Sequence, residues 1–184
     1  MTAQSLLPHP ADPDGPVKRL EGACSPCGDG AFSFRFDAAG EIARLRIPVR
    51  ASAARRDELW RTTCFEAFVG NPEGGYLELN FSPSSAWAAY DFTAYREGMA
   101  ESGAVASVAI STNRAERKFT LTANVRFADA RRLFDPGSLK LGFAAVIEDI
   151  DGARSHWAIR HPAPKPDFHH SGGFVYRICD SLPR

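Results

Sequence analysis

The sequence predicts an all-β protein, an antiparallel sandwich or barrel, on three observations. Apolar residues recur with period two along much of the chain, the pattern of strands that rest one face on a core. Clusters of turn-forming residues separate those runs at hairpin spacing. No amphipathic stretch of ten or more residues stands between the runs, so a parallel βαβ sheet would lack its crossover helices.

The elements follow in chain order. Residues 1–15, with prolines at 8, 10 and 13, are expected to be extended and partly loose; 16–184 is expected to form one domain. Cys24-Ser25-Pro26-Cys27 lies in a stretch rich in turn residues. Phe32, Phe34 and Phe36 alternate with Ser33 and Arg35, and Asp37–Gly40 forms a turn. Further strands are expected at 42–47 and 62–69. The segment 70–75, with Asn71-Pro72 and two glycines, then closes a hairpin onto Leu77, Leu79 and Phe81. Strands at 86–93 and 105–111 come next, with a turn at 113–116. The row Phe119, Leu121, Ala123, Val125, Phe127 follows, and then Leu139, Leu141, Phe143, Ala145, Ile147. Asp151-Gly152 turns the chain into 154–160, and Phe174, Tyr176 and Ile178 form a last short strand. Helix is expected only in short pieces, near 53–60, 93–101 and 128–134.

Composition bounds the function. The chain has 184 residues, 44% of them hydrophobic, enough for one domain with a substantial core. Lys+Arg and Asp+Glu each total 22, so the net charge is zero. Bulk attraction to nucleic acid or to an anionic membrane is therefore not expected. No apolar run approaches the roughly 18 residues of a membrane span. The start lacks the basic and apolar regions of a secretory signal, so a cytoplasmic location is expected. Cys24 and Cys27 have dithiol or half-zinc spacing, but Cys64 and Cys179 stand alone, so reduced thiols are the expectation.

Three segments concentrate aromatic and polar side chains: 55–68, 76–99 and 156–170, which together hold all three tryptophans and four of the five histidines. Within them stand LWRTTCFEAFV (59–69), YLELNFSPSSAWAAYDFTAYREGM (76–99) and HWAIRHPAPKPDFHHSGGF (156–174). In these pieces and their order, the chain resembles bacterial DOMON-like proteins of unassigned activity, a group related to family 9 carbohydrate-binding modules. The resemblance runs from about residue 15 to the end. It implies an all-β fold, an antiparallel immunoglobulin-like β-sandwich with short helical turns, carrying a ligand site. Relatives in the wider superfamily bind sugars or haem; the narrower group supplies no ligand.

The residues themselves suit a saccharide. A sugar ring offers a face of C–H bonds to a flat aromatic and a rim of hydroxyls to polar side chains. Trp60, Trp87, Trp157 and Tyr95 are the candidate platforms; Glu66, Asn80, Arg96, His161, Asp167 and His169 are the candidate rim contacts. The three indoles are expected to meet around one hollow.

The competing readings are weaker. The resemblance implies Met and His axial ligands for haem, which Met99 with His156 or His161 would supply. A sugar hydrolase would use Glu66 and Glu78, two carboxyls on one hairpin. With the hairpin closing between Val69 and Tyr76, position 66 falls opposite 79, and the two carboxyls point to opposite faces. Catalytic residues are therefore not assigned. The histidines of the third segment match no zinc spacing, and no acidic loop announces calcium. The six arginines between Arg44 and Arg61 are expected to pair within the molecule or to face solvent.

Overall fold

The computed structural model describes residues 3–28, 30–71, 74–129 and 140–177. Its strands are β1 (Gln4–Pro8), β2 (Val17–Pro26), β3 (Ala31–Gly40), β4 (Ala54–Arg55), β5 (Cys64–Gly70), β6 (Tyr76–Phe81), β7 (Ala86–Phe92), β8 (Ala100–Glu101), β9 (Val105–Arg114), β10 (Lys118–Phe127), β11 (Lys140–Glu148), β12 (Arg154–Ala158) and β13 (Tyr176–Arg177). They hydrogen-bond in the order β4-β7-β6-β5-β11-β12-β1-β2-β3-β10-β9, with β8 added to β7 and β13 to β11. Apart from the short parallel pair β4–β7, the described pairings are antiparallel. No helix among the described residues is long and apolar enough to cross a membrane.

The sheet curls on itself into two facing halves, and β1 is the seam. Gln4, Ser5 and Leu6 pair with β2 on one half, while Leu7 and Pro8 pair with β12 on the other. Over 4–8 the N-terminal segment is thus tied into the ladder. Beyond the strand, the Asp12 carboxylate accepts from the His156 backbone N–H at 2.6 Å.

Period-two patterning explains the half built from β2, β3, β10 and β9. Phe32, Phe34 and Phe36 of β3 and Phe119, Leu121, Ala123 and Val125 of β10 are buried in the core. Their alternates carry a solvent-side network in which Asp37 takes Arg35 at 3.0 Å, Lys118 at 3.3 Å and Thr120 at 2.6 Å. The other half obeys a different rule. β6 is buried at every position, and so are β5 and β11 except at one end. One face of that half meets the core through Phe65, Leu79, Phe81 and Phe143. Its opposite face is covered by a second apolar cluster of Phe68, Tyr76, Ala88, Tyr90, Phe92, Ala144, Ala158 and Phe174. A sheet face covered by loops instead of a second sheet is where the site lies.

Several expectations need correction. Residues 42–47 do not form a strand: 42–44 are a single 3-10 turn with Ile42 in the core. A strand not expected at all, β2, contains Cys24. A register shift between Val17 and Arg19 breaks its alternation, so period two fails where the strand begins. Cys24 is buried and Cys27 exposed, both as free thiols. Helix near 53–60 shrinks to the 3-10 turn Leu59–Arg61, and 93–101 holds a tight turn followed by β8. The expected helix at 128–134 falls mostly outside the described residues, as do Leu139, Ile178 and Cys179. As expected, arginines of the 44–61 stretch pair internally: Arg44 with Asp149 at 2.6 Å, Arg55 with Glu101 at 3.0 Å and Arg61 with Glu58 at 2.7 Å.

Candidate ligand pocket

The pocket is a consequence of strand register. The β5–β6 hairpin closes with Gly70 opposite Tyr76, not Val69, and Asn71 N–H donates to the Gly75 carbonyl across the turn. Glu66 therefore stands opposite Asn80 and Phe68 opposite Glu78. This one-residue difference from the expected register reverses the conclusion about faces. Glu66, Glu78 and Asn80 share the outer face with Tyr90, which lies opposite Glu78, and Ala144, opposite Glu66.

Three covering segments build walls over this floor. The turn Leu59–Arg61 brings Trp60 edge-on to Tyr90, at 6.2 Å between ring centres. The turn at 93–98 is closed by Thr93 and Glu97, whose backbones bond each other, and by Arg96 in the left-handed region at φ 56°. The third segment, 159–174, is stiffened by Pro162, Pro164 and Pro166 and ends with Phe174 stacked on Phe68 at 5.5 Å. Gly142 makes that docking possible, because a Cβ there would stand 2.7 Å from the Phe174 ring.

A polar latch joins the second and third segments. Asp167 accepts from the Tyr95 hydroxyl at 2.6 Å and from Arg96 at 2.9 Å. Its carboxylate is opposed by burial, but these two donors hold it below the usual range. Behind the latch, the Tyr76 hydroxyl and His169 Nδ1 are hydrogen-bonded at 2.7 Å, and the Arg96 backbone N–H donates to that hydroxyl at 3.3 Å.

What remains open is a pocket of about 470 Å³ lined by Trp60, Phe92, Met99, Pro166 and Phe168 as apolar walls. Glu66, Glu78, Arg96, Arg154, His156 and His169 add its polar groups. Burial pushes the Glu66 carboxyl well above its ordinary range, and the neighbouring Glu78 pushes it further. Among the described residues, Glu66 Oε1 has no hydrogen-bond partner. Burial also raises Glu78, opposed by the Asn80 amide at 2.7 Å and by the Arg96 charge. A second hollow, about 710 Å³, lies beyond Tyr76 and His169 and is lined by Asn71, Tyr95, Lys140, His170 and Phe174 among others.

The expected residues divide cleanly. Trp60, Glu66, Arg96 and His169 line the pocket; Asn80, Tyr95 and Asp167 brace it. The other three lie elsewhere. Trp157 is sealed in the main core, its indole N–H donating to Ser155 Oγ at 3.0 Å. Trp87 packs on that core with the Arg55 guanidinium 4.7 Å above its ring. His161 binds the Leu7 carbonyl at 2.8 Å and sits edge-on to His9. The indoles therefore do not meet around one hollow. Parity decides it: Trp87 lies opposite Phe81 and Trp157 opposite Ala145, both core-facing positions. Phe92, His156 and Phe168 were missed as lining residues. Phe92 and His156 share the even parity of Glu66 and Glu78 within their strands, the signal that could have found them. Among the described residues, no group of three or more metal-ligating side chains could hold an ion.

Two outcomes follow from the buried titratable groups. Glu66 is held protonated in the fold but ionises when unfolded, so it subtracts stability as pH rises above about 4.5. Glu66→Gln is expected to raise stability by about 1–3 kcal/mol at pH 7. In denaturant titrations that gain should vanish near pH 4.5. His169 behaves oppositely: burial, then the Arg96 charge, lower it from 6.5 to about 4. Between those values only the unfolded chain takes up the proton, so stability falls as pH falls through this window. Melting curves of His169→Gln should lose less than the native chain between pH 6.5 and 4.

No family model matches the chain, and no curated protein matches it. Among solved structures, it is similar to a protein from Bacteroides uniformis described as a candidate carbohydrate-binding protein. That match has a TM-score of 0.63 and 15% identity, covering 95% of this chain and 84% of the other. A family 9 carbohydrate-binding module from Caldicellulosiruptor kristjanssonii in complex with cellotriose aligns with a TM-score of 0.42 and 12% identity, over 77% of this chain and 65% of that one. At 15% identity the likeness to the Bacteroides uniformis protein is one of fold.

Proposed function

We propose that the chain is a non-catalytic binding module for a small polar ligand, a saccharide or sugar derivative first. It would be a DOMON-like member of the immunoglobulin-like sandwiches, acting in the cytoplasm without a nucleic-acid or membrane partner. The observation that carries the reading is the pocket itself: aromatic rings at Trp60, Phe92 and Phe168 beside carboxyl, guanidinium and imidazole groups. That combination serves a ring with an apolar face and a polar rim. Its volume of about 470 Å³ suits a mono- or disaccharide. The candidate carbohydrate-binding protein from Bacteroides uniformis, alike in fold, supports the choice of ligand class. Calorimetric titration with a panel of mono- and disaccharides tests it: saturable binding is expected, and none across the panel would end the saccharide reading.

A sugar hydrolase is the second reading, because register places Glu66 and Glu78 on one face as diagonal neighbours. Such neighbours have backbones roughly 7–8 Å apart, so both carboxyl groups can reach one pocket, as a paired acid and base or nucleophile require. Turnover of chromogenic glycosides, lost in Glu66→Gln and in Glu78→Gln, would establish it; no turnover would leave the binding reading alone. Haem fits less well. Met99 and His156 do line the same pocket, but Glu66, Glu78 and Arg96 occupy walls that an apolar macrocycle would have to cover. The absorption bands of added haem are expected to stay at their free positions on mixing with the protein.

A further inference from the structure

The floor of the pocket holds two carboxyl groups on adjacent strands and, as described, one carboxyl oxygen without a donor. Glu66 and Glu78 are both more than nine-tenths buried. A buried oxygen of this kind is costly unless something donates to it. Three of the four basic groups nearby are already engaged. Arg96 gives its guanidinium to Asp167 at 2.9 Å, and His156 turns Nδ1 to Asp12 at 3.2 Å. His169 lies 3.9 Å from Glu78 and hydrogen-bonds the Tyr76 hydroxyl. Arg154 stands exposed at the rim. Tyr90 directs its hydroxyl to Asp57 at 2.6 Å, and the Cys64 thiol faces Asn80 Oδ1 at 3.8 Å. The donor that Glu66 lacks is left for a ligand to bring.

We propose that the ligand of this pocket carries a protonated amine, an amino sugar and not a neutral one, seated against Glu66 and Glu78 beneath Trp60. The inference rests on the saccharide reading above and narrows it. An ammonium group brings several N–H donors, one for Glu66 Oε1 and another for the Glu78 carboxylate. Trp60 lines the same pocket, and an indole ring attracts a cation placed over it. The protons balance simply. Glu66 holds its proton in the empty pocket, and the amine arrives as the ammonium ion. On pairing, the Glu66 proton passes to solvent, so about one proton leaves per ligand bound. Affinity should therefore rise with pH until the free amine itself loses its charge. The groups that share this field are Cys64, Tyr76, Tyr90, Arg96, Arg154, His156 and His169, with Asp12, Asp57 and Asp167 behind them.

The test is calorimetric titration of the full chain with glucosamine, N-acetylglucosamine, glucose and cyclohexylamine, in two buffers of different ionisation enthalpy. Glucosamine is expected to bind at least about tenfold more tightly than glucose or N-acetylglucosamine, with about one proton released. Glu66→Gln should erase that preference, bringing glucosamine and glucose to similar affinity, and should abolish the proton release. Equal affinity for glucose and glucosamine would overturn the amine assignment and leave the saccharide reading standing. Binding of cyclohexylamine but of no sugar would overturn the saccharide reading and keep the amine. Binding of none of the four would overturn both.

Discussion

Phe36→Ala will lower the stability of the protein by about 3–5 kcal/mol, the cost of emptying a large aromatic site that cannot close up. Phe36 is fully buried on β3, and its ring meets three others across the fold: Phe65 at 5.2 Å, Phe143 edge-on at 5.8 Å and Phe81 at 6.5 Å. Those partners lie on β5, β11 and β6, so one side chain ties the two halves of the curled sheet together. The check is a urea titration, in which the midpoint should fall while the slope stays constant. Asn124→Ala, on the exposed face of β10, should change stability by no more than about 0.5 kcal/mol. A loss at Phe36 no larger than at Asn124 would mean that the halves do not close on one core.

The second large effect concerns binding. Trp60→Ala and Arg96→Ala should each weaken binding of the tightest saccharide by about tenfold to hundredfold, the scale of a central aromatic or arginine contact. Trp60 forms a wall, and Arg96 both lines the pocket and holds Asp167 at 2.9 Å. Trp87→Ala should leave affinity within about threefold, because that ring is packed on the core and not in the pocket. Titration calorimetry on the three variants decides it, with cooperative unfolding confirmed for each. A ranking in which Trp87 matters and Trp60 does not would move the site elsewhere.

How much of this was legible follows from how each strand is buried. β3 and β10 bury one face only, so Phe32, Phe34 and Phe36 stand out against Ser33 and Arg35. β6 buries both faces, and there the same alternation misleads: Glu78 and Asn80 look like solvent-side residues, but Glu78 lines a covered pocket and Asn80 is buried behind it. Whether Glu66 joined them depended on a single residue of hairpin register, set by the bond between Asn71 and Gly75 across a turn of variable length. Residues of all three segments that composition picked out line the pocket. Composition did not separate Trp60 from Trp87 and Trp157, because a large aromatic among polar neighbours looks alike on either face. β2 stayed hidden behind the irregularity at its start.

The three tryptophans allow the account to be tested in one spectrum, since each contributes a single indole N–H resonance. During titration with a saccharide that binds, the Trp60 signal should shift progressively and saturate. The signal of Trp157, bonded to Ser155 inside the core, should stay in place, and so should that of Trp87. Movement of Trp87 or Trp157 with Trp60 unchanged would contradict a ligand seated over the outer face of β5 and β6.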